Sequence, residues 1–197
     1  MSRALWLGGI AAAMGLFVAS LAGPRTGSDA TDRPVLRKVL GPVASLAAAV
    51  QWIRVDVALR REDYPRAYAR AETALALDPE DPAGWIFLAH HLLYERASLA
   101  REPDRAARAR WFRAGIETLE RGERAASDPG PVFFEHGVAL AFQGSLADED
   151  RAWPETATEA WQLAARAFES AAAHGTPDAA KAAALARERA AAAGRGG

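Results

Sequence analysis

The chain has 197 residues, of which 49 are alanine and only 20 are Val, Ile or Thr. So few β-branched side chains cannot cover the pleated faces of a sheet domain, and the Ala, Leu, Arg and Glu that dominate instead lose little freedom in a helix. A net charge of −1 leaves no basic excess to neutralise nucleic-acid phosphates, so no nucleic-acid partner is expected, and the absence of cysteine excludes disulfide frameworks and thiolate zinc sites.

The first element is an uncharged run of twenty residues, Ala4 to Gly23, preceded by Arg3 and closed by Pro24-Arg25. About 20 apolar residues cross the ~30 Å hydrocarbon core as one helix, so residues 1–23 are expected to be a transmembrane anchor. A signal peptide cut before Gly23, after the small residues Ser20 and Ala22, is the alternative. Arg25, Arg33, Arg37 and Lys38 would hold the rest of the chain in the cytoplasm by charge. A short N-terminus before a signal-like run points to export, and a single-pass protein with an extracytoplasmic domain is the reading preferred here. Ala11, Gly15 and Ala19 recur every four residues, as does Gly23, and small residues at that spacing let two membrane helices pair into a homo-oligomer.

Residues 24–40 read as a polar linker ending at the Gly41-Pro42 break, and residues 41–197 as a helical domain. Pro after Asp or Thr marks helix starts, because its missing N–H has no partner in a first turn and the preceding side chain caps the free amides. Such starts are read at Asp63-Tyr64-Pro65, Asp81-Pro82, Glu102-Pro103, Pro131, Trp153-Pro154 and Thr176-Pro177. Stops are read at Asp78-Pro79, Asp128-Pro129-Gly130, Gly144, Gly175 and Gly194. Seven helices are predicted, at about 43–61, 64–77, 82–100, 103–126, 131–143, 154–173 and 177–193. In the sixth, Ala157, Ala160, Trp161, Ala164, Ala165, Phe168, Ala171 and Ala172 follow helical spacing. In the second, Ala67, Ala71 and Ala74 form a narrow stripe suited to close helix contact. The last helix, whose only large apolar residue is Leu185, reads as a solvated cap.

The stretch Asp63 to Asp81 resembles the second helix of a tetratricopeptide repeat (TPR), with Ala67, Ala71, Ala74-Leu75 and Asp78-Pro79 at the matching places. Trp52, Val55 and Leu59 fit the first-helix pattern with a one-residue shift. Trp85, Leu88, Ala89 and Leu92 open a second unit. Phe133, Gly137 and Leu140, completed by Ala164, Phe168 and Ala171, give a third. The resemblance implies an all-α fold: a TPR-like right-handed α-α superhelix of about three helix pairs with a capping helix, behind the N-terminal transmembrane helix. Residues 50–145 also look like a family of bacterial membrane-anchored TPR-like proteins found in planctomycetes and related lineages, through Trp52-Ile53-Arg54, Trp85, Tyr94, the run Arg110 to Ile116, and Gly137.

That resemblance implies a concave face lined by the first helix of each pair. It would carry Ile53, Val57, Arg60 and Arg61, then Ile86, His90, Leu93 and Tyr94, then Phe134, Val138 and Phe142. A mixed apolar groove with one basic corner suits a protein or peptide partner. The competing reading is that the long fourth helix fills the groove. His91 and Glu95, four apart, are candidate metal ligands with His136, against ordinary surface or groove residues of a helical array, and no metal or cofactor is expected. No nucleophile elbow, phosphate loop or dinucleotide loop is present, so an enzyme is not expected. Trp153, in the charged segment ADEDRAWPE, is either a staple on the next helix or a partner contact. The sequence thus points to a non-catalytic, membrane-anchored interaction scaffold. The alternative is a structural subunit of a larger membrane complex.

Overall fold

The structure is a computed structural model that describes residues 33–195. The anchor run Ala4–Gly23, with Ala11, Gly15 and Ala19, lies outside the described residues, among which no helix is long and apolar enough to cross a membrane. Contacts divide the chain into Met1–Gly41 and Pro42–Gly197. Of the first unit only the opening residues of α1 are described, and all the packing below belongs to the second.

The described residues form seven α-helices and no strands: α1 Arg33–Arg60, α2 Tyr64–Leu77, α3 Pro82–His90, α4 Arg105–Ala125, α5 Gly130–Ser145, α6 Ala157–Ala173 and α7 Ala179–Ala193. Helix α3 continues as a π-helical segment, His91–Arg96, in which the Ala97 amide donates to the Leu92 carbonyl five residues back. Asp63 and Asp81 cap α2 and α3 as their Asp-Pro contexts suggest. Two starts move. The Asp104 carboxylate accepts from the Ala107 amide, and the Thr156 hydroxyl accepts from the Glu159 amide. Helices α4 and α6 therefore begin at Arg105 and Ala157, beyond Pro103 and Pro154, because a side-chain acceptor one residue ahead of the first turn fixes the start more firmly than a proline does. At the other end, α1 begins at Arg33 and runs through Gly41-Pro42, so the segment read as linker is partly helical.

Successive helices run antiparallel. Ser45 donates to Asp78 across α1 and α2 at 2.6 Å. A Cβ on Gly115 would lie 2.5 Å from Leu93, and one on Gly122 would lie 2.7 Å from Trp85, so α4 runs back along α3. Gly137 meets the Phe168 ring and Gly144 meets Trp161 in the same way across α5 and α6. At each of these four glycines a large side chain from the neighbour occupies the space a Cβ would take.

Two cores result. One joins Val55 and Ala58 of α1 to Ala67, Ala71 and Leu75 of α2 and to Trp85, Leu88 and Leu92. The other runs through Phe112, Ile116 and Leu119 of α4, Val132 and Leu140 of α5, Phe168 of α6, and Ala183 and Ala186 of α7. Helix α7 is not simply a solvated cap. Ala179, Ala183, Ala186 and Ala190 are buried, while its one large apolar residue, Leu185, is exposed. A methyl-wide face lets α7 lie close on α6, which a leucine at those positions would prevent.

Candidate functional site

The face expected to bind a partner is drawn from α1, α3 and α5, and the structure brings part of it together. His90 Nε2 on α3 lies 2.8 Å from Glu135 Oε2 on α5. The Tyr94 ring meets His90 edge-on at 5.2 Å and Phe142 at 6.1 Å. These contacts lace α3, its π-helical extension and α5 along one side, where Phe142 stays exposed and Ile86 is half-buried. Burial pushes the Tyr94 phenol up to about 12, so its hydroxyl is neutral and polar at the edge of the patch.

Other expected members lie elsewhere. Leu93 is buried against Gly115. The prediction placed it one α-helical face away. Leu93 follows buried Ala89 by four residues, as Leu92 follows buried Leu88, so it belongs to the core stripe of this helix while Tyr94 stays half-buried at the rim. The Phe134 ring packs on Phe168 of α6 at 5.3 Å. Arg60 and Arg61 are exposed at the end of α1, where Arg60 pairs with Asp56 one turn back. Helix α4 packs on α3 and α5 through Gly115, Gly122 and Val132, as a partner helix in the stack.

The sequence reading missed the extent of the apolar surface on α1. Val43, Leu46, Val50, Ile53 and Val57 are each 41–67% exposed, while Ala48, Val55 and Ala58 on the same helix are buried. Helix α1 has two apolar faces, and the domain uses one. The signal was present in the 3, 4, 3, 4 spacing of those five residues.

Behind the groove, burial lowers the His91 pKa and keeps the ring neutral, against the pull of Glu95, whose Oε2 lies 3.0 Å from His91 Nδ1. The Arg96 guanidinium stands 4.5 Å over Tyr64 and 4.7 Å over Trp111, tying α2 to α4 by cation–π contact. His136 pairs with Glu123 at 2.6 Å. His91 and His136 thus take different carboxylates, and among the described residues no group of three or more His, Asp or Glu is placed to hold a metal ion.

A separate open cleft of about 1060 Å³ lies between the start of α4 and the 146–156 loop. Arg105, Arg110 and Arg113 line one side, and Asp148, Glu149 and Trp153 the other. Arg151, only 1% exposed, holds this loop. It donates to the carbonyls of Gln143, Leu146 and Glu155 and to Asp148, while the Gln143 side chain accepts from the Ala152 amide. Trp153 packs on Phe112 at 6.3 Å with Arg113 over it at 6.0 Å, so it staples the loop to α4 and also borders the cleft. None of the three His–carboxylate pairs lines the cleft, so its chemistry is that of charge and ring contact.

Comparison with known proteins adds nothing to this geometry: no protein-family model, no curated protein and no solved structure matches the chain.

Proposed function

We propose that this chain is a membrane-anchored, TPR-like scaffold that holds a protein or peptide partner and performs no catalysis. Its helices would form three pairs, α1–α2, α3–α4 and α5–α6, in a right-handed superhelix closed by α7, behind an anchor at residues 1–23. The face built by the first helix of each pair would be the partner surface.

The observation that carries this reading is the set of apolar side chains left in solvent along α1, α3 and α5: Val50, Ile53 and Val57, then Phe87, then Phe142. Isolated exposed apolar residues are ordinary, but aligned ones on alternate helices of one stack mark a contact surface. Tyr94 and the His90–Glu135 pair add hydrogen-bonding groups beside them. Aromatic rings with polar tips recur at interface hot spots. A permanent subunit role in a larger complex would need an apolar patch outside this face.

The test is selection of peptides on the full-length chain, followed by the same selection on Phe142→Asp. Phe142 is 48% exposed, so the variant should melt within about 0.5 kcal/mol of the parent. Loss of the selected peptides by a folded Phe142→Asp supports the groove. Retention of all of them moves the binding surface elsewhere, with the cleft at Trp153 as the next place to examine.

A further inference from the structure

We infer that the open face of α1 pairs with the same face of α1 in a second copy of this chain, as a parallel two-stranded coiled coil. Val43, Leu46, Val50, Ile53 and Val57 are exposed at successive intervals of three and four residues. That averages 3.5, the coiled-coil repeat, in which such residues form one seam along a helix. The seam is distinct from the domain core, because Ala48, Val55 and Ala58 face the other way and are buried. In the amino-acid sequence the same spacing continues upstream at Val39 and Leu36.

Three features select a second copy as the occupant. The first is residue type. Positions a of the seam are Val43, Val50 and Val57, and positions d are Leu46 and Ile53; β-branched residues at every a, with Leu at one of the two d positions, fit two parallel strands. The second is charge. In a parallel, in-register pair, a g position faces the e position of the following heptad on the other chain. That sets Asp56, half-exposed and paired with Arg60 of its own chain, near Arg61 of the other, the exposed residue that follows α1. Ala47 and Ala49, which flank the seam nearer its start, are small and uncharged. The third is extent. Helix α3 meets α1 at Trp52, through Gly84 and Phe87. Val43 and Leu46 lie more than a turn before that contact, so a peptide held between α1 and α3 would leave them bare, whereas a helix lying along α1 covers all five. Pairing along this seam covers Val50, Ile53 and Val57, and leaves Phe87 of α3 and Phe142 of α5 as the apolar surface open to a partner.

The chain contains no cysteine, which makes the test direct. Single cysteines are placed in the full-length chain, in mild detergent, at Val50, Ile53 and Val57 on the seam and at Ser45 and Gln51 off it. Each variant is checked for parent-like melting and then oxidised. The expected result is covalent dimer at positions 50, 53 and 57, forming at least several-fold faster than at 45 and 51. Equal rates at all five positions would mean random collision and overturn the proposal. Cross-linking at a single seam position only would mean an antiparallel crossing and overturn the parallel pairing. Absence of dimer from all five folded variants would show that something else, such as residues 4–23 of the same chain, covers the seam. Loss of peptide binding by Phe142→Asp would leave these rates unchanged, so the two readings fail separately.

Discussion

Helices α1 and α6 are both rich in alanine, yet they meet opposite fates. Helix α6 lies between α5 and α7, so Ala160, Ala164, Ala167 and Ala171 and the Ala165–Phe168 side are all buried. Helix α1 has α2 and the start of α3 against one face, and its other apolar face stands in solvent. Periodicity identifies which residues share a face of a helix. Whether a face is covered depends on what the rest of the chain places beside it.

The largest contrast comes from truncating one apolar side chain in each helix. Phe168→Ala removes a ring packed against Gly137 and Phe134 and should cost about 3–5 kcal/mol in urea unfolding. Ile53→Ser should cost less than about 0.5 kcal/mol when measured at protein dilutions too low for self-association. Comparable losses from the two would erase the distinction between a filled and an open face.

Arg151→Ala comes next. It leaves one buried and two part-buried carbonyls without their guanidinium donor, and a cost on the order of 3 kcal/mol is expected, with faster proteolysis of residues 146–156. Gly115→Ala should cost about 1–3 kcal/mol, because its Cβ would sit 2.5 Å from Leu93 Cγ and the helices must part. A neutral Gly115→Ala would mean that α3 and α4 are not packed as closely as described.

A smaller effect concerns pH. Burial lowers the His91 pKa below its ordinary 6.5, so the unfolded chain takes up a proton at a higher pH than the folded chain does. Stability from this group is complete above pH 6.5 and is lost as pH falls below it. Unfolding midpoints should therefore drop on acidification through that range, and His91→Gln should flatten the drop. An unchanged slope would show that His91 is free to protonate in the fold.

Much of the fold was legible in the sequence for a simple reason: Asp-Pro pairs, glycine stops and alanine ladders act within a few residues. They located all seven helices, and the small positions Ala67, Ala71 and Ala74 are buried as that stripe suggests. What escaped depends on distant partners. No local signal announces the π-helical segment at His91–Arg96. Arg151 reads as a surface charge until the carbonyls of Gln143, Leu146 and Glu155 are seen around it. Of the expected groove, His90, Tyr94 and Phe142 converge, whereas Phe134 turns to Phe168 and the two arginines stand at the end of α1. The seam on α1 lay in plain spacing, but only its exposure separates it from a second core face.

The central claim is that this seam is a contact surface rather than an idle one, and sedimentation of the full-length chain and of Ile53→Glu in the same detergent tests it most directly. A carboxylate at the middle of the seam should weaken the dimer at least about thirtyfold, the effect of losing one hot-spot residue, so the parent should sediment as a dimer and the variant as a monomer with unchanged helix content, and the two should melt alike at dilutions too low for self-association. A parent that sediments as a monomer at every concentration, or an Ile53→Glu variant that remains a dimer, would contradict it.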